Sequence, residues 1–228
     1  MARQSASGTF IVVTGGDALG HIDVAHLPVD TVVIAADSGI DQALAAGLRV
    51  DVAVGDFDSV SPGALDAVVA AGAVVEPHPA AKDQTDFELA LDAATARGAR
   101  RIHVLGGRGG RLDHLLGNAL LLASAKYASL EVTAQMGDAL VTVVREHTAL
   151  AGEPRDLVTL LAVHGPATGI TTDGLLYPLA DEDLVPGSSR GLSNELTSTE
   201  ATVRLRGGVL LAVQTGPAGS DEQRTDTP

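Results

Sequence analysis

Two acidic residues, one position apart, follow a short apolar run. The run Val52–Val54 breaks at Gly55, and Asp56 and Asp58 come next. In a strand, or in extended chain leaving one, side chains at i and i+2 point the same way, so both carboxylates would face one point. Magnesium takes one or two protein carboxylates and completes its shell with water and substrate phosphates. The pair therefore indicates either half of a phosphate-handling metal site or a solvated turn, because Gly, Asp and Ser also favour turns locally.

A second acidic segment begins a predicted helix. Thr85 and Glu88 have the spacing of a capping box, which predicts a helix running to Gly98 with Asp86 in its first turn. An acid at that position either complements the helix dipole or joins Asp56 at a metal site, with Asp83 nearby.

A glycine-rich segment, Leu105 to His114, lies between a predicted strand and a predicted helix. Its glycines allow successive backbone amides to face an anion, and the helix N-terminus adds its dipole, so phosphate is the expected ligand. The spacing matches neither the dinucleotide fingerprint nor the P-loop. Arg111 and Arg108 carry the planar fork that suits phosphate, although a loop arginine is also often simply solvated. Asp113 and His114 either take part in the site or brace the helix.

These residues follow the strands of a predicted mostly parallel sheet. Between Phe10 and Val132, short β-branched runs alternate with helical stretches that end at glycine, which is typical of βαβ units. In such sheets ligands bind beyond the carboxyl ends of the strands. One helix is predicted to begin with Ser61 as its N-cap and Pro62 in its first turn, and to end at Gly72. The predicted strands are Phe10–Thr14, Thr31–Ala35, Val52–Val54, Ala73–Glu76, Arg101–Leu105 and Leu130–Ala134.

The pattern changes near Gly137, where helix signals give way to strands. The alternation in Ala201–Arg206 is typical of a half-buried antiparallel strand, and Gly207-Gly208 predicts a hairpin turn into the next one. We therefore expect an α/β domain over residues 1–136, an all-β domain over 137–217 and a disordered tail over 218–228. The predicted strands of the second domain are Leu140–Val144, Leu157–Val163, Gly169–Leu179, Ala201–Leu205 and Val209–Thr215.

Composition narrows the function classes. The 228-residue chain is 45% hydrophobic, which suffices for a buried core, and its formal net charge of −14 opposes nucleic acid and anionic membranes as partners. It has no cysteine, which removes disulfides, thiolate nucleophiles and Cys-based metal sites and fits a reducing cytoplasm. We find no run long enough to span a membrane and no signal peptide pattern, so we expect a cytoplasmic protein.

Four segments, in order, resemble the motif series of thiamine pyrophosphokinase. They are Gly55-Asp-Phe-Asp-Ser59, Lys82-Asp-Gln-Thr-Asp-Phe-Glu-Leu-Ala90, Gly109-Gly-Arg-Leu-Asp-His114 and Gly191-Leu-Ser-Asn-Glu195, and the resemblance extends over Phe10 to Thr215. It implies a Rossmann-like α/β catalytic domain, a smaller C-terminal β-sandwich that binds thiamine, and a homodimer with the acceptor site at the subunit interface. It also implies that ATP and thiamine give thiamine diphosphate and AMP.

The resemblance implies roles for individual residues. Magnesium would be held by Asp56, Asp58 and Asp86, and Asp83 is a further candidate ligand. Arg111 would clamp phosphate, and Asp113 or Asp58 would accept the proton of the attacking hydroxyl. Thiamine would contact Ser193, Asn194 and Tyr177. The nucleotide would lie along Asp37, Lys82, Gln84, Thr85, Gly107, Arg108, Gly110 and Arg111.

Three other functions were weighed. A pyrophosphokinase for another hydroxymethyl heterocycle, such as a pterin, would share the first domain, but the Gly-Leu-Ser-Asn segment favours thiamine. A non-catalytic nucleotide-binding regulator of the same fold would be expected to lack some of the acids, and none is missing. A dehydrogenase is excluded because the first strand is not followed by the glycine fingerprint and a later acid.

Overall fold

The computed structural model describes residues 5–19, 27–109 and 111–217. The chain divides into two compact units. The first consists of Met1–Leu122 and Ser129–Gly137, and the second of Ala123–Ala128 and Asp138–Pro228. The expected disordered tail, 218–228, lies outside the described residues.

The first unit is built on six parallel strands. Their spatial order is β6-β5-β1-β2-β3-β4, and every neighbouring pair is parallel. Each run predicted as a strand in this part of the chain forms one, with ends shifted by at most two residues. The bounds are β1 Thr9–Val13, β2 Val32–Ala36, β3 Val52–Gly55, β4 Val74–Pro77, β5 Arg101–Leu105 and β6 Glu131–Met136.

Helices cover the sheet because its strands are apolar on both faces. Ile11 and Val13 of β1 join a buried cluster with α1 and α2. The alternate residues Phe10 and Val12 are also fully buried, and α3 packs against β1, β2 and β3. Since neighbouring strand residues point to opposite faces, α3 lies on the face opposite α1 and α2. The helices are α1 Gly39–Ala45, α2 Ala64–Ala70, α3 Asp86–Ala96 and α4 Leu112–Leu122.

The predicted helix ends are partly correct. Thr85 caps α3 by accepting a hydrogen bond from the Glu88 amide at 3.2 Å, as the capping box predicts. Gly72 adopts φ +98 just beyond α2. The start of α2 was predicted wrongly: the helix begins at Ala64, because Gly63 has φ +83 and cannot continue the helical turn that Ser61 was expected to cap.

The second unit is a β unit whose strands are divided between two sheets. Within this unit the strand orders are β12-β9-β14-β7 in one sheet and β11-β10-β13-β8 in the other. One buried cluster takes residues from both, including Val158 of β9, Leu210 of β14 and Ile170 of β10. The sequence did not predict β8, β11 or β12. The bounds are β7 Ala139–Val144, β8 His147–Ala151, β9 Asp156–Ala162, β10 Ala167–Asp173, β11 Ala180–Leu184, β12 Asn194–Glu195, β13 Glu200–Arg204 and β14 Leu210–Pro217.

The hairpin predicted at Gly207-Gly208 is wrong. Strand β13 pairs with β8 and β10, whereas β14 pairs with β7 and β9 in the other sheet. Gly208 serves a close backbone approach instead, because a Cβ there would overlap the carbonyl oxygen of Pro166. The chain is thus a mixed α/β protein with a second β unit. Among the described residues, no helix is both long and apolar enough to cross a membrane.

Candidate active site

A cleft of about 670 Å³ lies at the carboxyl ends of β1, β2, β3 and β5, beside the loop that follows β4. This is the edge of a parallel sheet where ligands are expected to bind. The lining residues are Thr14, Gly15, Gly16, Ala36, Asp37, Ser38, Asp56, Asp58, Ser59, Ala80, Lys82, Gln84, Thr85, Asp86, Phe87, Gly107, Gly109, Arg111, His114 and Asn118.

Three carboxylates converge in this cleft. Asp37, Asp56 and Asp58 each offer an oxygen within 4.8 Å of the other two. Burial raises the pKa of Asp37, and the neighbouring charge of Asp86 acts in the same direction. The Oδ1 atom of Asp37 is buried and accepts no hydrogen bond. Clustered carboxylate oxygens with an orphaned buried acceptor are the donor set of a hard cation. The sequence associated Asp37 with the nucleotide and not with this cluster.

The Asp56–Asp58 pair is brought together by a turn, and the extended chain that we expected is absent. Phe57 adopts φ +62, an uncommon conformation for a non-glycine residue. Its ring packs on the core cluster beneath the sheet edge. The Asp58 amide donates to Asp56 Oδ1 at 3.3 Å, which closes the turn. The aromatic anchor therefore explains how both acids reach the same side.

Lys82 lies between two of the predicted metal ligands. Its Nζ donates to Asp56 Oδ2 at 3.0 Å and is 3.0 Å from Asp86 Oδ1, an ion-pair contact without the alignment of a hydrogen bond. The bond from Lys82 lowers the pKa of Asp56, while contact with both carboxylates, opposed by burial, raises the pKa of Lys82. Asp86 is thus held beside the three-carboxylate cluster. Asp83 is exposed on the same loop.

Two glycine loops meet at the opposite wall of the cleft. The Asp17 amide donates to the Arg108 carbonyl at 2.6 Å, and the Gly107 amide donates to the Gly15 carbonyl at 3.0 Å. Gly16 has φ +140, and a Cβ there would overlap the Arg108 carbonyl oxygen. The Arg108 guanidinium lies against Gly137. Gly110, also predicted to bind nucleotide, lies outside the described residues.

Arg111 and Asp113, predicted to have separate roles, pair with each other. Arg111 donates from Nε to Asp113 Oδ1 at 3.2 Å and from its terminal nitrogen to Oδ2 at 2.6 Å. Both side chains are exposed, and Arg111 lowers the pKa of Asp113. Arg111 lines the main cleft, whereas Asp113 lines a smaller adjoining depression of about 240 Å³ with Glu88.

Gln84 also has a partner within the first unit. Its Nε2 donates to Asp92 Oδ2 at 2.8 Å. This bond, to a residue two turns into α3, fixes the Gln84 amide at the rim of the cleft.

The predicted acceptor residues lie in the second unit, in two neighbouring segments. Tyr177 is 60% exposed, and Ser193 is exposed with φ +54. Asn194 is buried, with its carboxamide bonded to the backbone of Tyr177. The neighbouring side chains Leu176 and Leu192 are also exposed. Nothing in the sequence spacing indicates that exposure.

Comparison with known proteins agrees with this organisation. The family profile "Thiamin pyrophosphokinase, catalytic domain" matches residues 27–134, and "Thiamin pyrophosphokinase, vitamin B1 binding domain" matches residues 147–210. The thiamine pyrophosphokinase of Bacillus subtilis (strain 168) is 28% identical over 214 residues, covering 90% of this chain and 98% of that protein.

Solved structures agree as well. The crystal structure of the Bacillus subtilis thiamine pyrophosphokinase has a TM-score of 0.80 at 28% identity and covers 91% of this chain and 99% of its own. That of the Geobacillus thermodenitrificans thiamin pyrophosphokinase has a TM-score of 0.76 at 29% identity, with 92% and 99% covered. The two profiles match in order and together span more than half of the sequence, as the four motifs predicted. The chain therefore belongs to the thiamin pyrophosphokinase family.

Proposed function

We propose that this protein transfers the pyrophosphoryl group of ATP to the hydroxyl of thiamine, giving thiamine diphosphate and AMP. The observation that carries the proposal is the pair of family profiles, a catalytic one over the first unit and a vitamin B1 binding one over the second. The acidic cleft at the carboxyl ends of the strands supports it independently of the profiles.

Magnesium fits the residues at that cleft. Asp37, Asp56 and Asp58 supply hard oxygen donors, and the orphaned Asp37 Oδ1 lacks a partner that a cation would provide. Asp86 stands close by for a direct or water-mediated contact, while Asp83 is further out on the same loop. A magnesium ion held by these residues would supply positive charge next to the phosphate oxygens.

The remaining groups of the first unit position ATP. The Gly15–Gly16 and Gly106–Gly109 loops line the cleft with backbone, and Arg111 lies at its rim with a guanidinium that suits phosphate oxygens. Lys82 contacts two carboxylates and lines the same cleft, so we assign its ammonium to the departing nucleotide phosphate. Gln84 and Thr85 line the same wall.

The reaction forms a bond from the thiamine oxygen to the β-phosphorus and breaks the bond from that phosphorus to the oxygen of AMP. The hydroxyl proton leaves to a carboxylate. We assign this role to Asp58, because it lines the main cleft. Asp113 is the poorer acceptor, since both its oxygens receive bonds from Arg111, which lowers its pKa.

The acceptor contacts belong to the second unit, with Tyr177 and Ser193 presenting exposed side chains. We assign the first unit to the Rossmann-like class, supported by its parallel strand order, and the second to the β-sandwiches, supported by its two sheets and shared core. Because the reaction consumes ATP, the cytoplasm is the proposed location.

The proposed assembly is a homodimer with the acceptor site at the subunit interface. Exposed apolar side chains support it: Leu112, Leu116 and Leu120 form one face of α4 with 67%, 55% and 45% of their surfaces exposed. Residues at i, i+4 and i+8 make a continuous stripe of the kind that a second copy buries. Sedimentation of the purified protein tests the assembly: a monomer at micromolar concentration would contradict it.

Product analysis tests the reaction. The protein is incubated with ATP, magnesium chloride and thiamine, and nucleotides are separated by ion exchange. AMP formed in equal amount to thiamine diphosphate is the expected result. ADP as the product excludes pyrophosphoryl transfer, and no product at all with thiamine favours the regulator. Turnover with a hydroxymethyl pterin but not thiamine would assign the other heterocycle, against which the vitamin B1 binding profile speaks.

A further inference from the structure

Asn194 is buried within the second unit, and backbone groups take most of the hydrogen-bonding capacity of its carboxamide. Only 8% of it is exposed. Its Oδ1 accepts from the Tyr177 amide at 2.9 Å and from the Glu195 amide at 2.9 Å, and its Nδ2 donates to the Tyr177 carbonyl at 2.8 Å. The carboxamide thus bonds both backbone groups of Tyr177, as a neighbouring strand would. Both acceptor positions of its oxygen are used, which leaves one N–H of the side chain.

The bonds of Asn194 extend a small ladder between two segments. Leu176 donates from its amide to the Glu195 carbonyl at 2.9 Å, and Thr197 donates to the Gly174 carbonyl at 2.9 Å. Asn194 itself begins β12, which pairs with β9. The segment that carries Tyr177 is therefore fastened to the sheet through Asn194, while Tyr177 itself stays 60% exposed.

Ser193 has the opposite character. It is exposed, its φ is +54, and its amide donates to Thr159 Oγ1 at 3.1 Å. Of these two consecutive residues, Ser193 therefore faces outwards, whereas the side chain of Asn194 is buried and hydrogen-bonded to backbone.

We propose that Asn194 is a positioning residue for the acceptor: it acts on thiamine through the Tyr177 segment, which it holds in place, and does not itself contact the substrate. This inference rests on the proposed function for the identity of the acceptor. The three bonds require an amide side chain at this position. An aspartate would keep the acceptor oxygens but lose the donor, and its negative charge would face the Tyr177 carbonyl.

The kinetic test is a double-mutant cycle with Tyr177→Ala. Losing bonds of this kind weakens an interaction by about threefold to tenfold, so Asn194→Ala should raise the KM for thiamine by that factor, with the KM for ATP unchanged. Asn194→Asp should raise it as well, because the bond to the Tyr177 carbonyl is lost and the new charge repels that oxygen. In the Tyr177→Ala background, Asn194→Ala should change the KM for thiamine less than about twofold. The same factor in both backgrounds would mean that the carboxamide contacts thiamine directly and would overturn the inference.

Gln214→Ala is the matched control. Gln214 is a buried carboxamide of the same unit, and its Nε2 donates to the Ala151 carbonyl at 3.0 Å. It should lower the unfolding midpoint and leave the KM for thiamine unchanged. A similar rise in KM for the Gln214 and Asn194 variants would show general destabilisation and would overturn the inference.

Amide hydrogen exchange tests whether Asn194 holds the Tyr177 segment, and it requires no enzymatic reaction. Exchange at the Tyr177 and Glu195 amides should be about threefold to tenfold faster in Asn194→Ala than in wild type, and intermediate in Asn194→Asp. If wild type makes no thiamine diphosphate, the proposed function fails while this measurement still stands. An unchanged exchange rate at Tyr177 in both variants overturns the inference whatever the reaction.

Discussion

Replacing Gly16 by alanine tests the wall of the cleft where two glycine loops meet. Gly16 has φ +140, which L residues rarely adopt. An added Cβ would overlap the carbonyl oxygen of Arg108. This oxygen accepts a hydrogen bond from the Asp17 amide at 2.6 Å. The substitution therefore has two effects: it strains the backbone at Gly16, and it pushes the loop that carries Gly16 away from the loop that carries Arg108.

Each effect has a magnitude. Backbone strain in a sparsely populated conformation costs about 1–3 kcal/mol, and the lost hydrogen bond about 0.5–1.5 kcal/mol. The sum is about 2–4 kcal/mol, which lowers the unfolding midpoint by roughly 5–15 °C for a protein of this size. ATP affinity should fall as well, since Gly16 and Gly107 both line the cleft.

Two further alanine substitutions separate strain from overlap. Gly47 has φ +71 with no atom within 4 Å of an added Cβ, so Gly47→Ala should cost about 1–2 kcal/mol and leave ATP binding intact. Gly117 lies inside α4, again with nothing within 4 Å, so Gly117→Ala should stabilise the protein by about 0.5–1 kcal/mol. Thermal unfolding and calorimetric ATP titration measure all three.

The order of the unfolding temperatures and ATP affinities of these variants tests the reasoning. If Gly16→Ala unfolds at the same temperature as Gly47→Ala and binds ATP like wild type, the loops do not need the close approach at Gly16. The glycines would then serve local turns alone.

Further substitutions address the chemistry of the cleft and the placement of the acceptor site. Asp56→Asn and Asp58→Asn should each abolish most turnover with unfolding midpoints near wild type, and full activity in both would remove the metal site from the proposal. Asp37→Asn should raise the unfolding midpoint at neutral pH, because the raised pKa of Asp37 makes its ionised form unfavourable in the folded protein; that gain should disappear below about pH 4, where Asp37 is protonated in both states. Equal gains at both pH values would contradict the burial argument. Arg111→Lys keeps the charge but loses the bidentate fork, so turnover should fall by about tenfold or more, and wild-type rates would identify a solvated loop residue. Asp56→Asn dimers and Tyr177→Ala dimers, mixed after dissociation and assayed at a thiamine concentration too low for either parent to turn over measurably, should regain activity if acceptor sites lie between subunits, since mixed dimers then contain one intact site. No recovery, with heterodimers demonstrated, would place each site within one chain.

The parallel sheet was predictable because its signals are local. Buried strands read as short β-branched runs, and the glycines and caps that end the helices can be recognised from a few residues. Thr85 shows this well, since a spacing of three residues was enough to predict its bond to the Glu88 amide.

The second unit was harder because short edge strands carry little pattern. Strand β11, Ala180–Leu184, contains three consecutive acids and resembles a loop in sequence. Strand β12 has two residues, and only its pairing with β9 defines it. The pairing of β13 was missed for another reason. A glycine pair predicts a turn, but it does not indicate which sheet the chain enters next.

The candidate site depended on contacts that spacing does not reveal. Phe57 has a positive φ and packs on the core cluster, neither of which spacing indicates. The convergence of Asp37 with Asp56 depends on the neighbouring positions of β2 and β3 in the sheet. Likewise, the polar residue Asn194 resembled a ligand contact in sequence, whereas its bonds to backbone are visible only in three dimensions.

The place of Lys82 has a consequence for the part that a metal ion plays in the fold. Clustered carboxylates repel one another, and the folded protein must bear that repulsion wherever no cation is bound. Here the chain carries an internal counter-ion, because the Lys82 ammonium reaches both Asp56 and Asp86. This ammonium offsets part of the repulsion within the folded chain itself. Under the proposed function, a divalent ion would therefore be required for the reaction and not for the fold.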